Sequence, residues 1–546
     1  MLVLHALLRP HRGIPLGLLR PAAFRVDRGD DASGSRMELP ERAIFVARNA
    51  LERRTGERHG GLAMDRTAFR SATELAGLIK AKKISSEDLL DLYLVRIDKH
   101  NARVNAVVAT DIPGARRRAR AADAALAKGD VWGPLHGVPV TIKDSFDLAG
   151  LPATWGVPEL RDHRPATNAL AVQRYIDAGA IAFGKTNVAA YLVGWATQND
   201  IYGTTSNPWD LNRSPGGSAG GAAAALAAGL TGLELGVDFG GGVRNVAHYC
   251  GIYGHKSTYG ITNWSGHVMP GIGSKPDLCV AGPLARNADD LKLGLSLIMG
   301  PTPEDAVGWK LDLPPPRVKD LSELRVAVML EDPSFPVDHE VQERIQAVVD
   351  FLVSRKARVS ERARPAIDPA MAFEIFGGLL MAGLATRQHD EKFWTRLAHL
   401  RARFMTTDDR RGDATEKVFT HADWSELDTA RNRLRQAWRM FFNDWDVLLC
   451  PAAPTVAVPH DPKHAWHERK VMVKGRPTSP ADPTFWGAYF TVAYLPATVA
   501  PAGLSRSGLP VGVQIVGPEY GDLTCIEVAR LLEREFQGFV PPKGWD

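Results

Sequence analysis

Two glycine-dense segments and one lysine are the parts of this 546-residue chain best suited to chemistry. Ser214-Pro215-Gly216-Gly217-Ser218-Ala219-Gly220-Gly221 precedes an alanine-rich helical stretch, Ala222 to Ala228, and Leu235-Gly236-Val237-Asp238-Phe239-Gly240-Gly241-Gly242-Val243-Arg244 follows it. Residues without Cβ let neighbouring backbone amides turn inward on one small anionic centre, as an oxyanion hole requires. A phosphate cradle would need similar turns, but the first segment lacks a Gly-Lys-Ser/Thr ending and neither has the dinucleotide glycine spacing. Asp238-Phe239-Gly240 matches a kinase tripeptide with no His-Arg-Asp segment to accompany it.

Lys143 follows the apolar run Val140 to Ile142. Burial with a lowered pKa is therefore expected of it, rather than a solvated surface charge. Ser218 could be a reactive hydroxyl, the N-cap of the Ala222–Ala228 helix, or both. Asp238 and Arg244 read as a structural ion pair. His460, His464 and His467 tempt a metal reading, but Pro462 interrupts a helical face and no carboxylate motif joins them, so no metal is expected.

Further segments extend the pattern: Gly137-Val138-Pro139-Val140-Thr141-Ile142-Lys143-Asp144, Gly184-Lys185-Thr186-Asn187, Cys250-Gly251 and Gly508-Leu509-Pro510-Val511-Gly512-Val513-Gln514. With the two glycine segments, their order and spacing resemble the amidase signature family over about Thr67 to Phe536. The resemblance implies an α/β fold, a single large domain with a central mixed, twisted β-sheet covered by helices on both faces. It implies hydrolysis of carbon–nitrogen bonds in small-molecule amides through a Ser-cisSer-Lys site, without a cofactor. In that site Lys143 is the base, Ser218 the bridging serine on a cis peptide, and the amides of Phe239, Gly240, Gly241 and Gly242 the oxyanion hole, with Asp238 and Arg244 as support.

The nucleophilic serine of that pattern falls at position 242, where this chain carries glycine. Glycine has no hydroxyl, so the acyl-enzyme route is closed there. Removing such a nucleophile from a comparable hydrolase costs on the order of a million-fold in turnover, leaving roughly a thousand-fold or more over water. A water in the volume vacated at Gly242, activated by Ser218 and Lys143, would give slow direct hydrolysis. Ala190 stands where a glutamate is usual, Val237 where serine or threonine is usual, and Val246 and Ser257 where prolines are usual. Three readings follow: a strongly impaired amidase, a pseudoenzyme that binds amides or carboxylates without turnover, or an amidotransferase subunit that needs a tRNA-binding partner.

The elements that must position these groups are partly legible. Ser85-Ser86-Glu87-Asp88 marks a helix start, with Leu89, Tyr93 and Ile97 on one face. Val140–Ile142 and Ile181–Phe183 are short strands with a helix, Leu170–Ala178, between them, and such alternation suggests an α/β core. Leu324–Leu330 is a further strand, backed by a helix whose face is Val341, Ile345, Val348 and Leu352. Residues 365–445 read as a helical insertion that shapes a pocket, including Phe373–Arg387 and Asp428–Phe442. Residues 446–536 return to the sheet through Val447–Pro451 and Val511–Val516, while the Pro/Ala/Gly segments around Pro496 and Pro501 read as turns. Core motifs lie in 133–300 within a domain of 67–546. Residues 1–66 form an extension with three candidate starts, Met1, Met37 and Met64; its first 36 residues carry six arginines and no lysine.

Composition excludes several classes. Hydrophobic residues make up 45% and charged residues 23%, and 66 basic against 62 acidic residues leave a net charge of +4 with no basic arm. No nucleic-acid partner is expected. Cys250, Cys279, Cys450 and Cys525 show no CxxC spacing and are expected to be buried and reduced. No apolar run reaches the roughly 18 residues of a spanning helix, so no membrane association and a cytoplasmic location are expected. A homodimer is compatible with all of this.

Overall fold

The structure is a computed structural model that describes residues 66–273, 276–385, 420–464, 468–479 and 481–545. The 1–66 extension, except its last residue, lies outside these, as do 386–419 of the insertion and His467. All the described residues belong to one compact unit.

The chain first folds as α1 (Ala72–Lys80) and α2 (Ser86–Val104). Ser85 caps α2 by accepting the Asp88 N–H, and Leu89, Tyr93 and Ile97 are buried. Then come β1 (Val107–Thr110), α3 (Ile112–Ala127), β2 (Pro139–Lys143), α4 (Leu170–Asp177) and β3 (Ile181–Thr186). β3 lies between β1 and β2, antiparallel to the first and parallel to the second, in a sheet of three strands. The buried helix α5 (Gly220–Ala227) leads to β4 (Glu234–Asp238) and α6 (Arg244–Cys250), followed by β5 (Tyr253–Lys256), β6 (Val280–Ala285) and α7 (Ala288–Ile298).

The second half adds β7 (Arg325–Val328), α8 (His339–Ser354), β8 (Arg358–Ser360), α9 (Pro369–Ala385) and α10 (His421–Asp444). It ends with β9 (Val447–Pro451), α11 (Phe485–Thr491), β10 (Ala497–Leu504), β11 (Pro510–Val516) and α12 (Asp522–Glu535). Eight strands form a mixed sheet in the order β8-β7-β9-β11-β10-β5-β6-β4. The pairs of β7 with β8 and β9 are parallel and the others antiparallel. Helices α6 and α8 pack on β10 and β11, and α7 and α12 pack on β6 and β10. The mixed, helix-covered α/β architecture expected from the sequence is the one observed. All four cysteines are buried and none forms a disulfide.

The segment after Pro496 departs from the expected turns. It is β10, which pairs with β11 along its length and with β5 through Ala497, Thr498 and Val499. Pro496 precedes the strand, and Pro501 lies beyond the β5 pairing where the register with β11 shifts, so neither ring removes a donor that the ladder needs.

The two sheets are joined by side chains at the edge that carries Lys143. The Thr141 N–H donates to Thr231 Oγ1 at 2.9 Å and its hydroxyl to Glu234 Oε1 at 2.5 Å. Burial pushes the Glu234 carboxyl up from 4.5 to about 8, against hydrogen bonds from Thr141 and the Leu235 amide that pull it down. A raised carboxyl stabilises the fold most below about pH 4.5 and loses that contribution as pH rises through about 8. Denaturant unfolding of the parent and Glu234→Gln should therefore show the parent losing ground steadily between these limits. A difference independent of pH would show that this carboxyl stays ionised.

Candidate active site

β2 ends on Lys143, which is wholly buried, and its Nζ donates to Ser218 Oγ at 2.8 Å. The lysine is thus buried as its apolar context implied. Ser218 sits in the loop before α5, and the Gly217–Ser218 peptide bond is cis. It does not cap the alanine helix: the cap position is Ala219, which makes no side-chain cap hydrogen bond. The hydroxyl turns to Lys143 instead.

Asn245, a residue absent from the sequence expectations, grips this loop from α6. Its Oδ1 accepts the Gly217 N–H at 3.1 Å and its Nδ2 donates to the Gly217 carbonyl at 2.6 Å. Thr197 holds the flanks, donating to the Gly216 carbonyl at 2.9 Å and accepting the Gly220 N–H at 3.0 Å. A side chain at 217 would meet the Gly194 carbonyl oxygen at 2.5 Å, so this approach requires glycine. The only sequence signal for Asn245 was its place beside Arg244.

Lys185 was quoted in the sequence pattern without a role. Its Nζ donates to the carbonyls of Asp144, Phe146 and Pro152, which fastens the chain just after Lys143. Burial lowers this amine to about 8, with Asp144 opposing the shift. The apolar strand around it is the same signal that marked Lys143.

Asp238, at the end of β4, organises the second glycine segment. Its carboxylate accepts the N–H groups of Gly241 at 2.8 Å and Val243 at 3.2 Å, and Arg244 Nη2 at 2.7 Å. Both members of this ion pair are wholly buried, and Arg244 also donates to Gln514 Oε1 and Thr491 Oγ1, each at 2.8 Å. Burial alone would raise Asp238, but the charge and hydrogen bonds of Arg244 outweigh it and hold the carboxyl down at about 2.

The Gly241 amide is therefore spent on Asp238, which narrows the expected oxyanion donors. Phe239, Gly240 and Gly242 line the cavity and Gly241 does not. The volume expected at Gly242 is also smaller than a missing serine suggests. A Cβ built at 242 would lie 2.5 Å from the Val237 carbonyl oxygen and 3.4 Å from Ser218 Oγ. Backbone already crowds that point.

Above these groups opens a cavity of about 660 Å³. Trp195, Phe239, Phe376, Val456 and Met472 give it an apolar wall, with Arg213, Asp461 and Arg469 among its charged residues. From the described part of the 365–445 insertion only Phe376 and Leu380, both on α9, reach it; more of the lining comes from 455–484. His460 lines the cavity and contacts Ser206 Oγ at 3.3 Å, whereas His464 is exposed and pairs with Asp461. Among the described residues no group of three or more His, Cys, Asp or Glu side chains could hold a metal ion. Among them, too, no helix is long and apolar enough to cross a membrane.

The 239–242 turn is packed closely from α11. A Cβ at Gly487 would stand 2.3 Å from the Gly240 carbonyl oxygen. Gly487→Ala should cost about 1–3 kcal/mol by overpacking. Gly77→Ala, with nothing within 4 Å and a helical position in α1, should instead gain about 0.5–1 kcal/mol. Thermal melts of the two variants give opposite signs if this close approach is real.

The chain is similar to known proteins in sequence and in fold. A profile of the amidase family matches residues 88–526. The chain is 33% identical over 493 residues to a glutamyl-tRNA(Gln) amidotransferase subunit of Acidothermus cellulolyticus, covering 86% of this chain and 94% of that protein. Among solved structures, a bacterial aryl acylamidase of the amidase signature family superposes with a TM-score of 0.74 at 22% identity, covering 86% of this chain and 96% of the other, a likeness of fold. A 6-aminohexanoate cyclic dimer hydrolase complexed with substrate superposes with a TM-score of 0.70 at 25% identity, covering 88% and 100%.

Proposed function

Because the chain belongs to the amidase family, we propose that its cavity receives a small-molecule amide at an amidase-type site, strongly impaired in hydrolysis because position 242 has no hydroxyl. The observation that carries this reading is the 2.8 Å contact between Lys143 Nζ and Ser218 Oγ, with the Cβ position of residue 242 another 3.4 Å from that oxygen. A lysine removed from water is biased toward its neutral, basic form. In the proposed site Lys143 is the base and Ser218 relays the proton. The Gly240 and Gly242 amides, with Phe239 beside them, face the carbonyl oxygen as it gains charge. Asp238 and Arg244 hold the turn and do not touch substrate. No metal or other cofactor takes part in this scheme.

The apolar wall and charged groups of the cavity suit an amide with a hydrophobic body and a polar end. The test is hydrolysis of a panel of anilides, primary amides and glutamine by the parent and by Gly242→Ser. Gain on at least one substrate supports a disarmed but intact site. A folded Gly242→Ser protein inert on the whole panel would sink it and leave binding without turnover.

The similarity to an amidotransferase component supports a second reading, action beside a tRNA-binding partner. Under it, Gly242→Ser would prefer glutamine and leave anilides untouched.

A further inference from the structure

Resting on the reading above, we propose that Ser218 is itself the nucleophile of this chain, paired with Lys143 as a two-residue Ser–Lys site, and that it acts on activated acyl compounds such as aryl esters and anilides. Three observations carry this.

First, Ser218 lines the cavity with 7% of its surface exposed while its hydroxyl contacts a wholly buried lysine at 2.8 Å. A serine beside a general base is the arrangement that activates such a nucleophile. Second, two other hydroxyls on the described cavity wall have different employment. Thr455 Oγ1 donates to the Val456 carbonyl at 2.8 Å, and Ser507 Oγ donates to Glu340 at 2.8 Å in an exposed position. Third, residue 242 has no side chain to stand between Ser218 and the cavity. A Cβ at 242 would lie 3.4 Å from Ser218 Oγ, so any side chain there would stand against that hydroxyl. The hydroxyl of Ser218 is thus presented by this wall in contact with Lys143.

The chemistry balances with the groups present. The neutral Lys143 amine takes the Ser218 hydroxyl proton as Oγ bonds to the acyl carbon. The bond from carbon to the leaving nitrogen or oxygen then breaks, and the ammonium returns its proton to that leaving group. A water then attacks the Ser218 ester and gives its proton to Lys143. The carbon–Oγ bond breaks, Oγ recovers the proton, and the carboxylic acid departs.

The experiment is covalent labelling of the full chain with an alkyl fluorophosphonate, in which the serine oxygen displaces fluoride from phosphorus, followed by peptide mapping by mass spectrometry. One adduct on the peptide containing Ser218 is expected, formed at least ~100-fold more slowly in Lys143→Met, the effect of losing a general base. In Gly242→Ser the adduct should move to position 242. Labelling of Gly242→Ser at 242 with none at Ser218 in the parent overturns this proposal while leaving the amidase-type reading standing. Absence of label at either position in both proteins overturns the two together. Hydrolysis of a p-nitrophenyl ester gives a second readout: an unchanged rate in Ser218→Ala assigns turnover to another group and overturns the proposal.

Discussion

Gly242→Ser should hydrolyse its best amide at least about a thousand-fold faster than the parent, and Gly242→Ala should not. The size follows from the loss of order a million-fold that accompanies removal of a serine nucleophile, less what the other departures from the family pattern withhold. The geometry supports a hydroxyl there, since a Cβ at 242 is 3.4 Å from Ser218 Oγ and its Oγ would extend into the same hydrogen-bonding neighbourhood. The substitution also has a steric cost. The Val237 carbonyl oxygen at 2.5 Å must yield, and overpacking of this kind costs about 1–3 kcal/mol. Alanine carries the same Cβ without the oxygen, so both variants should melt lower by similar amounts while only serine gains rate. Steady-state kinetics on the substrate panel, with melting curves alongside, separate the two effects. If both variants fold and neither gains, the substitutions at Ala190, Val237, Val246 and Ser257 have dismantled the site beyond one oxygen.

The second large effect concerns stability. Asp238→Ala should destabilise the fold by about 3–5 kcal/mol, because it strands the Arg244 guanidinium in a wholly buried place. It also deprives the Gly241 and Val243 amides of their acceptor. Asp238→Ala/Arg244→Met should recover part of the loss, since the orphaned charge is gone. Denaturant titration measures both. The pH dependence has a definite sign: the Asp238 carboxyl is held down at about 2, so its contribution is complete above the ordinary value of 3.8 and is lost only as pH falls through about 2. The gap between parent and Asp238→Ala should therefore stay constant from pH 7 to pH 5. A cost below about 1 kcal/mol would mean that the turn is held by other contacts.

Much of the scaffold was legible from local pattern. Ser85 with Asp88 marked the start of α2 because a capping side chain and the N–H that donates to it are neighbours in sequence. The helix face of Val341, Ile345, Val348 and Leu352 was readable from its period, and each of the four is buried. β10 was missed because proline and glycine are turn formers by local rule. Only the pairing with β5 and β11 reveals that the prolines fall where no ladder donor is lost. Asn245 was missed for a related reason: its partner, the Gly217 peptide, is 28 residues away, and no periodicity links them.

By itself, then, the sequence determined the order of the motifs, the burial of Lys143 and the glycine at 242. These are statements about residue identity and local apolar context, which the chain carries in one dimension. The tertiary structure alone decided that Lys143 and Ser218, 75 residues apart, meet at 2.8 Å, and that the Gly241 amide is spent on Asp238. It also placed the Val237 carbonyl against the Cβ position of 242, where spacing suggested a hole. Distances between remote segments follow from how sheets and helices pack around a shared core, and no local propensity encodes them.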